Sequence, residues 1–324
     1  MINLREIKAP VAKHMDEFDA RFAQVMKSEV PLLDKVVRYI MKSKGKQMRP
    51  LFVMLSADVC GGVCESTYHG ATLIELLHTA TLVHDDVVDD SNLRRGFFSI
   101  NALWKNKIAV LIGDYLLSRG LILALNESEY DILRIVSNAV RDMSEGELLQ
   151  IEKARYLNID EAVYFEIIRK KTASLISSCC AAGAASATKD AAVIEKMKLF
   201  GECVGIAFQI KDDLFDFENN SASGKPGGLD IRERKISLPL IHLLKNVGYS
   251  ERRKIINIVK NHNDDTERVG EVLNKVRNSG GIPYASGKMT EYRDKALGIL
   301  REFPESPSRA SLENLVVFTT ERQY

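Results

Sequence analysis

LIELLHTATLVHDDVVDD, residues 73–90, is the stretch from which the rest of the chain is read. Its apolar residues recur at intervals of three and four, the spacing of one buried helix face. Four aspartates close it: Asp85, Asp86, Asp89 and Asp90. Asp85 and Asp89 are one turn apart and share a face. Like charges at that spacing cost a helix about 0.2–0.5 kcal/mol per pair, and aspartate is a poor helix former. A divalent cation would offset both costs. Mg²⁺ prefers oxygen and is usually held by one or two carboxylates together with substrate phosphates. A second stretch, AFQIKDDLFDF (207–217), repeats the pattern with Asp212, Asp213 and Asp216. Both contain DDxxD at the end of an apolar helix, and Asp212 and Asp216 are expected on one face like Asp85 and Asp89.

Helical periodicity extends outward from these two points. It marks Val110–Leu117, Ile132–Met143, Tyr164–Leu175 and Met197–Ile210. Eight prolines occur in 324 residues, several of them where helices should start or stop: Pro31, Pro50, Pro226, Pro239, Pro283, Pro304 and Pro307. Period-two alternation is scarce, so a large sheet is excluded. The longest loop signal is ENNSASGKPGG, 218–228. Apolar helices resume on both sides of every break, which predicts one all-α domain over 1–324 with residues 1–29 as a helical extension.

Composition narrows the function. With 45 Lys+Arg against 44 Asp+Glu, the chain lacks the basic surplus of a general nucleic-acid binder. No run approaches the ~20 apolar residues of a membrane span, and the first residues lack a signal-peptide core. Five cysteines (Cys60, Cys64, Cys179, Cys180, Cys203) form no CxxC pair. They read as reduced buried thiols of a cytoplasmic protein, and no zinc spacing is present.

Carboxylate-bound metals call for an anionic ligand, and basic residues recur near the aspartates and at helix starts. Arg94, Arg95 and Gly96 follow the first cluster; Lys44, Lys46 and Arg49 lie in SKGKQMRP. Lys170, Lys171 and Thr172 fall on a helix, Lys225 in the glycine-rich loop and Lys235 beyond it. Arginine grips phosphate oxygens in pairs, while lysine acts as a point charge.

Taken together, GKQMRP (45–50), HTATLVHDDVVDDSNLRRG (78–96), GDYLLSRG (113–120), EGELLQ (145–150), KTASL (171–175), GIAFQIKDDLFD (205–216), GKPGGLD (224–230) and KISLPL (235–240) resemble the trans-type polyprenyl diphosphate synthases. The resemblance spans roughly residues 30–324. It implies an isoprenoid synthase-type helical bundle around a deep central cavity, usually a homodimer, with both aspartate-rich motifs at the cavity mouth. About three Mg²⁺ ions would be held by Asp85, Asp89 and Asp212, with Asp86, Asp213 and Asp216 as further ligands or supports. Arg94, Lys171 and Lys225 would contact the allylic diphosphate, with Thr172, Gln209 and Lys235 nearby. Isopentenyl diphosphate would bind through Lys46, Arg49, His78 and Arg95. His84 would support Asp85.

The resemblance also bears on product length. Bulky aromatics four or five places before the first motif make short products in this family; here those places are Thr81 and Ala80, with Leu77 one turn deeper. A long all-trans product is expected, octaprenyl within a hexaprenyl-to-decaprenyl range, of the kind used for quinone side chains and built on a farnesyl diphosphate primer. A geranylgeranyl- or farnesyl-length product, or a subunit of a heteromeric synthase, is the alternative. A terpene cyclase would normally lack the second DDxxD and the isopentenyl diphosphate residues, and a metal-dependent phosphohydrolase needs more histidine ligands than this chain readily supplies. Two positions depart from the family pattern. KGKQMRP stands for GGKRxRP, placing Lys44 and Gln47 where glycine and arginine are usual, and Arg234 stands where glycine is common.

Overall fold

The computed structural model describes residues 3–43, 45–94, 96–156, 160–217 and 227–321. In chain order the first helices are α1 (Leu4–Lys8), α2 (Ala12–Val25), α3 (Pro31–Lys42), α4 (Met48–Cys60), α5 (Glu65–Val88), α6 (Ile100–Asn126), α7 (Tyr130–Tyr156) and α8 (Glu161–Ile168). After a π-turn at Arg169–Ala173 follow α9 (Ser174–Ala187), α10 (Ala191–Phe215), α11 (Leu229–Arg232), α12 (Leu238–Asn246), α13 (Tyr249–Asn261), α14 (Thr266–Asn278), α15 (Gly281–Leu300) and α16 (Pro307–Glu321). Among the described residues the only sheet is a hairpin, β1 (Leu93–Arg94) paired antiparallel with β2 (Phe97–Phe98). The all-α expectation holds.

Helix starts follow local chemistry. Pro31, Pro239 and Pro307 sit in first turns, where a missing N–H costs nothing. Asp160 and Asp265 accept the first free amides of α8 and α14. Gln47 caps the start of α4 in the left-handed region, at φ 53°.

The chain forms two compact units. One comprises Met1–Val140, Ser178–Lys198 and Phe303–Leu312. In it α5 packs along α6 and against α4, and Leu73, Ile74, Leu76, Leu77 and Ala80 are buried. Near the N-terminus Phe18, Phe22 and Met26 are buried, and α2 packs on α4 and α5. Full burial of such a side chain is worth about 1.5–3 kcal/mol. The second unit comprises Arg141–Ser177, Leu199–Glu302 and Glu313–Tyr324. Its core gathers Tyr164, Ile168, Ile210, Phe217, Leu240 and Val272.

Two expectations need correction. By length and composition α6 does reach what a membrane span requires, with a mean hydropathy of 1.8 over its most apolar window. That window is interrupted by Asp114 and Arg119, and α6 packs against α5. The thiols are all free, but not all hidden: Cys179, Cys180 and Cys203 are buried, Cys60 is half-buried and Cys64 is exposed. Burial pushes the Cys60 and Cys180 thiols up to about 12 and Cys203 up to about 11.

Candidate active site

In the first unit, α5 carries the first aspartate motif to its C-terminal end. The helix runs to Val88, and Asp89 is its C-cap. Asp85 and Asp89 are exposed on one face, whereas Asp86 is buried, at 3% exposure. The Asp86 backbone carbonyl accepts from Asn101 Nδ2 at 3.1 Å. A helix C-terminus carries partial negative charge, so carboxylates are disfavoured there and cations favoured. The same holds for α10, which ends at Phe215 beside Asp212 and Asp213. Both motifs thus place acid where the helix field makes it least stable, which a bound cation would reverse.

The same unit holds most of the residues expected to bind isopentenyl diphosphate. Lys46 is exposed just before α4, and Arg49 lies in its first turn. Arg49 and Glu75 both act electrostatically on buried Cys179, which places them in one neighbourhood. His78 is buried on α5, and its carbonyl accepts from Thr81 Oγ1 at 2.9 Å. Gln47 Nε2 donates to Asp19 Oδ1 at 2.6 Å, tying the segment before α4 to α2. His84 Nε2 faces Asp114 at 3.5 Å and Val110 O at 3.3 Å across α6. Arg94 lies in β1. Arg95, Lys44 and Lys225 lie outside the described residues.

The second unit brings Lys171, Thr172, Gln209, Asp213 and Lys235 to one cavity of about 210 Å³. That is below the ~300–1,000 Å³ of pockets for drug-sized molecules, so it suits a compact head group. The π-turn delivers Lys171 and Thr172 to it. Thr172 Oγ1 donates to Gln209 Oε1 at 2.8 Å, and Gln209 Nε2 donates to Asp213 Oδ1 at 2.9 Å. Tyr164, fully enclosed, donates its hydroxyl to Asp213 Oδ2 at 2.7 Å. Lys171 pairs with Glu147 and donates to Gln150 Oε1 at 3.3 Å. Lys235 pairs with Glu233 at 2.5 Å. A second, open cavity of about 680 Å³, lined by Leu243, Glu251 and Lys275 among others, includes none of these residues.

The three acids of the second motif differ. Asp216 does not continue the α10 face as its spacing predicts, because the helix ends one residue earlier. Its two oxygens accept from the amides of Gly228, Leu229 and Asp230, at 3.0, 2.8 and 3.2 Å, at the start of α11. Asp213 is held by Gln209 and Tyr164, and burial pushes its carboxyl up to about 6. Asp212 is half-buried next to it. Asp230 also lines the cavity; burial and the neighbouring Asp213 and Asp216 push it up to about 8. The sequence reading included Asp230 in a motif but gave it no role. The only signal was its acid identity in GKPGGLD, and what brings it to the cavity is the capping of α11 by Asp216.

Among the described residues no three His, Cys, Asp or Glu side chains converge as a ready-made metal cage. The donor set still suits Mg²⁺, whose sites are completed by substrate phosphates. In each unit taken by itself the donors are carboxylate oxygens, exposed at Asp85 and Asp89 in the first and crowded together at Asp213 and Asp230 in the second.

The all-α chain, with two aspartate-rich helix ends, has the isoprenoid synthase fold. The polyprenyl synthetase family profile matches residues 30–276. An all-trans-nonaprenyl-diphosphate synthase (geranyl-diphosphate specific) of Rhodobacter capsulatus is 35% identical over 98% of both chains. The crystal structure of a decaprenyl diphosphate synthase from Rhodobacter capsulatus superimposes with a TM-score of 0.91 at 32% identity, covering 98% of this chain and 99% of that one. A polyprenyl synthase from Caulobacter crescentus, complexed with calcium and isoprenyl diphosphate, gives 0.89 at 32% identity, over 99% and 98% of the two chains. Other relatives at 30–32% identity are an octaprenyl diphosphate synthase of Escherichia coli, a heptaprenyl diphosphate synthase component 2 of Bacillus subtilis and a geranylgeranyl diphosphate synthase of Saccharolobus solfataricus. The chain belongs to the polyprenyl synthetase family and is a prenyltransferase.

Proposed function

We propose that the protein condenses isopentenyl diphosphate with an allylic diphosphate primer, farnesyl diphosphate, to make a long all-trans polyprenyl diphosphate of octaprenyl length for quinone side chains. The observation that carries this is the pair of aspartate motifs at the C-terminal ends of two apolar helices, α5 and α10, where the helix field disfavours acid and favours a bound cation.

In this reading Asp85, Asp89 and Asp212 hold about three Mg²⁺ ions, with Asp86, Asp213 and Asp216 supporting them. Mg²⁺, when bound, neutralises charge on the departing diphosphate. Lys171, Thr172, Gln209 and Lys235, with Arg94 and Lys225, bind and orient the allylic diphosphate and stabilise its growing charge as the C–O bond breaks. Lys46, Arg49, His78 and Arg95 hold isopentenyl diphosphate so that its double bond meets the allylic carbon. A proton is then lost to the departing diphosphate, so no side chain acts as general base. Apolar walls keep water from the cation. Leu77, Ala80 and Thr81 set the depth to which the tail descends. Ala80 and Leu77 are buried on α5, and position 80 carries a small side chain in place of an aromatic barrier.

Residues 1–324 act as one synthase domain, with 1–29 as its helical extension. The free thiols fit a reducing, cytoplasmic setting. A homodimer is supported by an apolar stripe on α6 in which Leu111, Ile122 and Leu125 are more than half exposed. The similarity to a heptaprenyl synthase component 2 supports one alternative, a subunit that works only with a second protein.

The test is the purified chain with Mg²⁺, farnesyl diphosphate and isopentenyl diphosphate, followed by mass analysis of the extracted product. A ladder rising in five-carbon steps to octaprenyl diphosphate, abolished by chelation, is expected. Products ending at geranylgeranyl length would overturn the chain-length assignment. Absence of elongation until a second protein is added would favour the subunit.

A further inference from the structure

We propose that Arg234 is an additional phosphate-gripping residue of the second unit's cavity, peculiar to chains that carry arginine at this position, and that it binds the diphosphate head group of the allylic substrate. The inference rests on the functional reading above and adds a residue to it.

Three independent observations converge on Arg234. It lines the 210 Å³ cavity together with Lys171, Thr172, Gln209 and Lys235. Its backbone is left-handed, at φ 58°, a conformation in which an L side chain is strained and glycine is not. Its guanidinium makes no hydrogen bond or ion pair to any described residue, although the residue is placed among charges. A structural arginine would be expected to show a partner that accounts for the strain. The Arg234 backbone N–H is bonded to Ile231 O at 3.1 Å, and among the described residues no side-chain partner explains arginine rather than glycine here.

The neighbours strengthen the case. Lys171 is engaged with Glu147 and Gln150, and Lys235 with Glu233. Of the three cations lining the cavity, Arg234 alone carries an uncommitted charge among the described residues. Asp213 and Asp230 lie in the same cavity, so an anion entering it needs positive charge beyond what the two lysines spare from their own carboxylates. A guanidinium at an exposed rim position supplies that charge, and its planar fork matches two phosphate oxygens at once.

Two substitutions separate this role from a structural one. Arg234→Gly and Arg234→Asn both remove the charge and both tolerate the left-handed backbone. Binding of inorganic pyrophosphate in the presence of Mg²⁺, measured by calorimetry, is expected to weaken about tenfold in either variant, while the melting temperature stays level or rises. Arg234→Lys restores part of the affinity, because the charge returns without the fork. In steady state the KM for farnesyl diphosphate rises and the KM for isopentenyl diphosphate does not. Unchanged pyrophosphate affinity in both variants, with the wild type binding normally, overturns the role of Arg234 and leaves the synthase reading intact. A wild-type chain that binds no pyrophosphate with Mg²⁺ overturns the synthase reading itself, and this inference with it.

Discussion

Asp89 and Asp216 are each the last aspartate of a DDxxD motif, and their surroundings give them opposite work. Asp89 is exposed at the C-terminus of α5, and no described residue bonds its carboxylate. Removing its charge relieves the helix field, so Asp89→Asn should leave stability unchanged or raise it by about 0.3–1 kcal/mol, while turnover falls steeply. Asp216 satisfies three amides at the start of α11. Asp216→Ala should therefore lower unfolding stability by about 1–2 kcal/mol. Urea denaturation and steady-state rates on the two variants check the pair; equal destabilisation of both would remove the distinction. The motif spacing shows where acids cluster but treats all of them as ligands. Which one caps a helix depends on where α10 stops, and DDLFDF carries no glycine or proline to mark that point.

The elements themselves follow the sequence closely, because apolar periodicity and first-turn prolines are local signals. The π-turn at Arg169–Ala173 was not legible. KKTAS reads as ordinary helix, and the extra residue per turn is imposed by what crosses it. A methyl added at Gly205 of α10 would lie 2.4 Å from Ala173 Cα, and one at Gly146 of α7 would lie 2.8 Å from the Lys171 nitrogen. Two glycines thus let two helices close on the turn that presents Lys171 and Thr172. Gly205→Ala should push α10 away from the turn, costing about 1–3 kcal/mol and separating Gln209 from Thr172, which are 2.8 Å apart. The expected signature is a lower melting temperature together with a raised KM for the allylic diphosphate. A variant that loses stability but keeps that KM would show that the turn tolerates the displacement.

At the scale of the whole molecule, α6 poses a question of solvent. Its length and hydropathy suit a bilayer, yet two of its charges, in its most apolar stretch, have protein partners: Arg119 donates to Val25 O at 2.7 Å, and Asp114 faces His84. What remains exposed is a stripe, Val110, Leu111, Leu121, Ile122 and Leu125, recurring at three, four and eleven residues and so lying along one side of the helix. Lys105, with φ 72° and ψ 160°, breaks the helix before the stripe begins, so these residues share one straight segment. Fully burying a leucine or isoleucine is worth about 1.5–3 kcal/mol, and five in a row form a surface that water does not favour. The same face presented by a second copy would cover it symmetrically, as a two-fold interface requires. Sedimentation should therefore find the wild-type chain dimeric at micromolar concentration and the Leu111→Glu/Ile122→Glu variant monomeric with its helical circular dichroism intact. A monomeric wild type, or a double variant that still dimerises, would mean that this stripe is covered by something else.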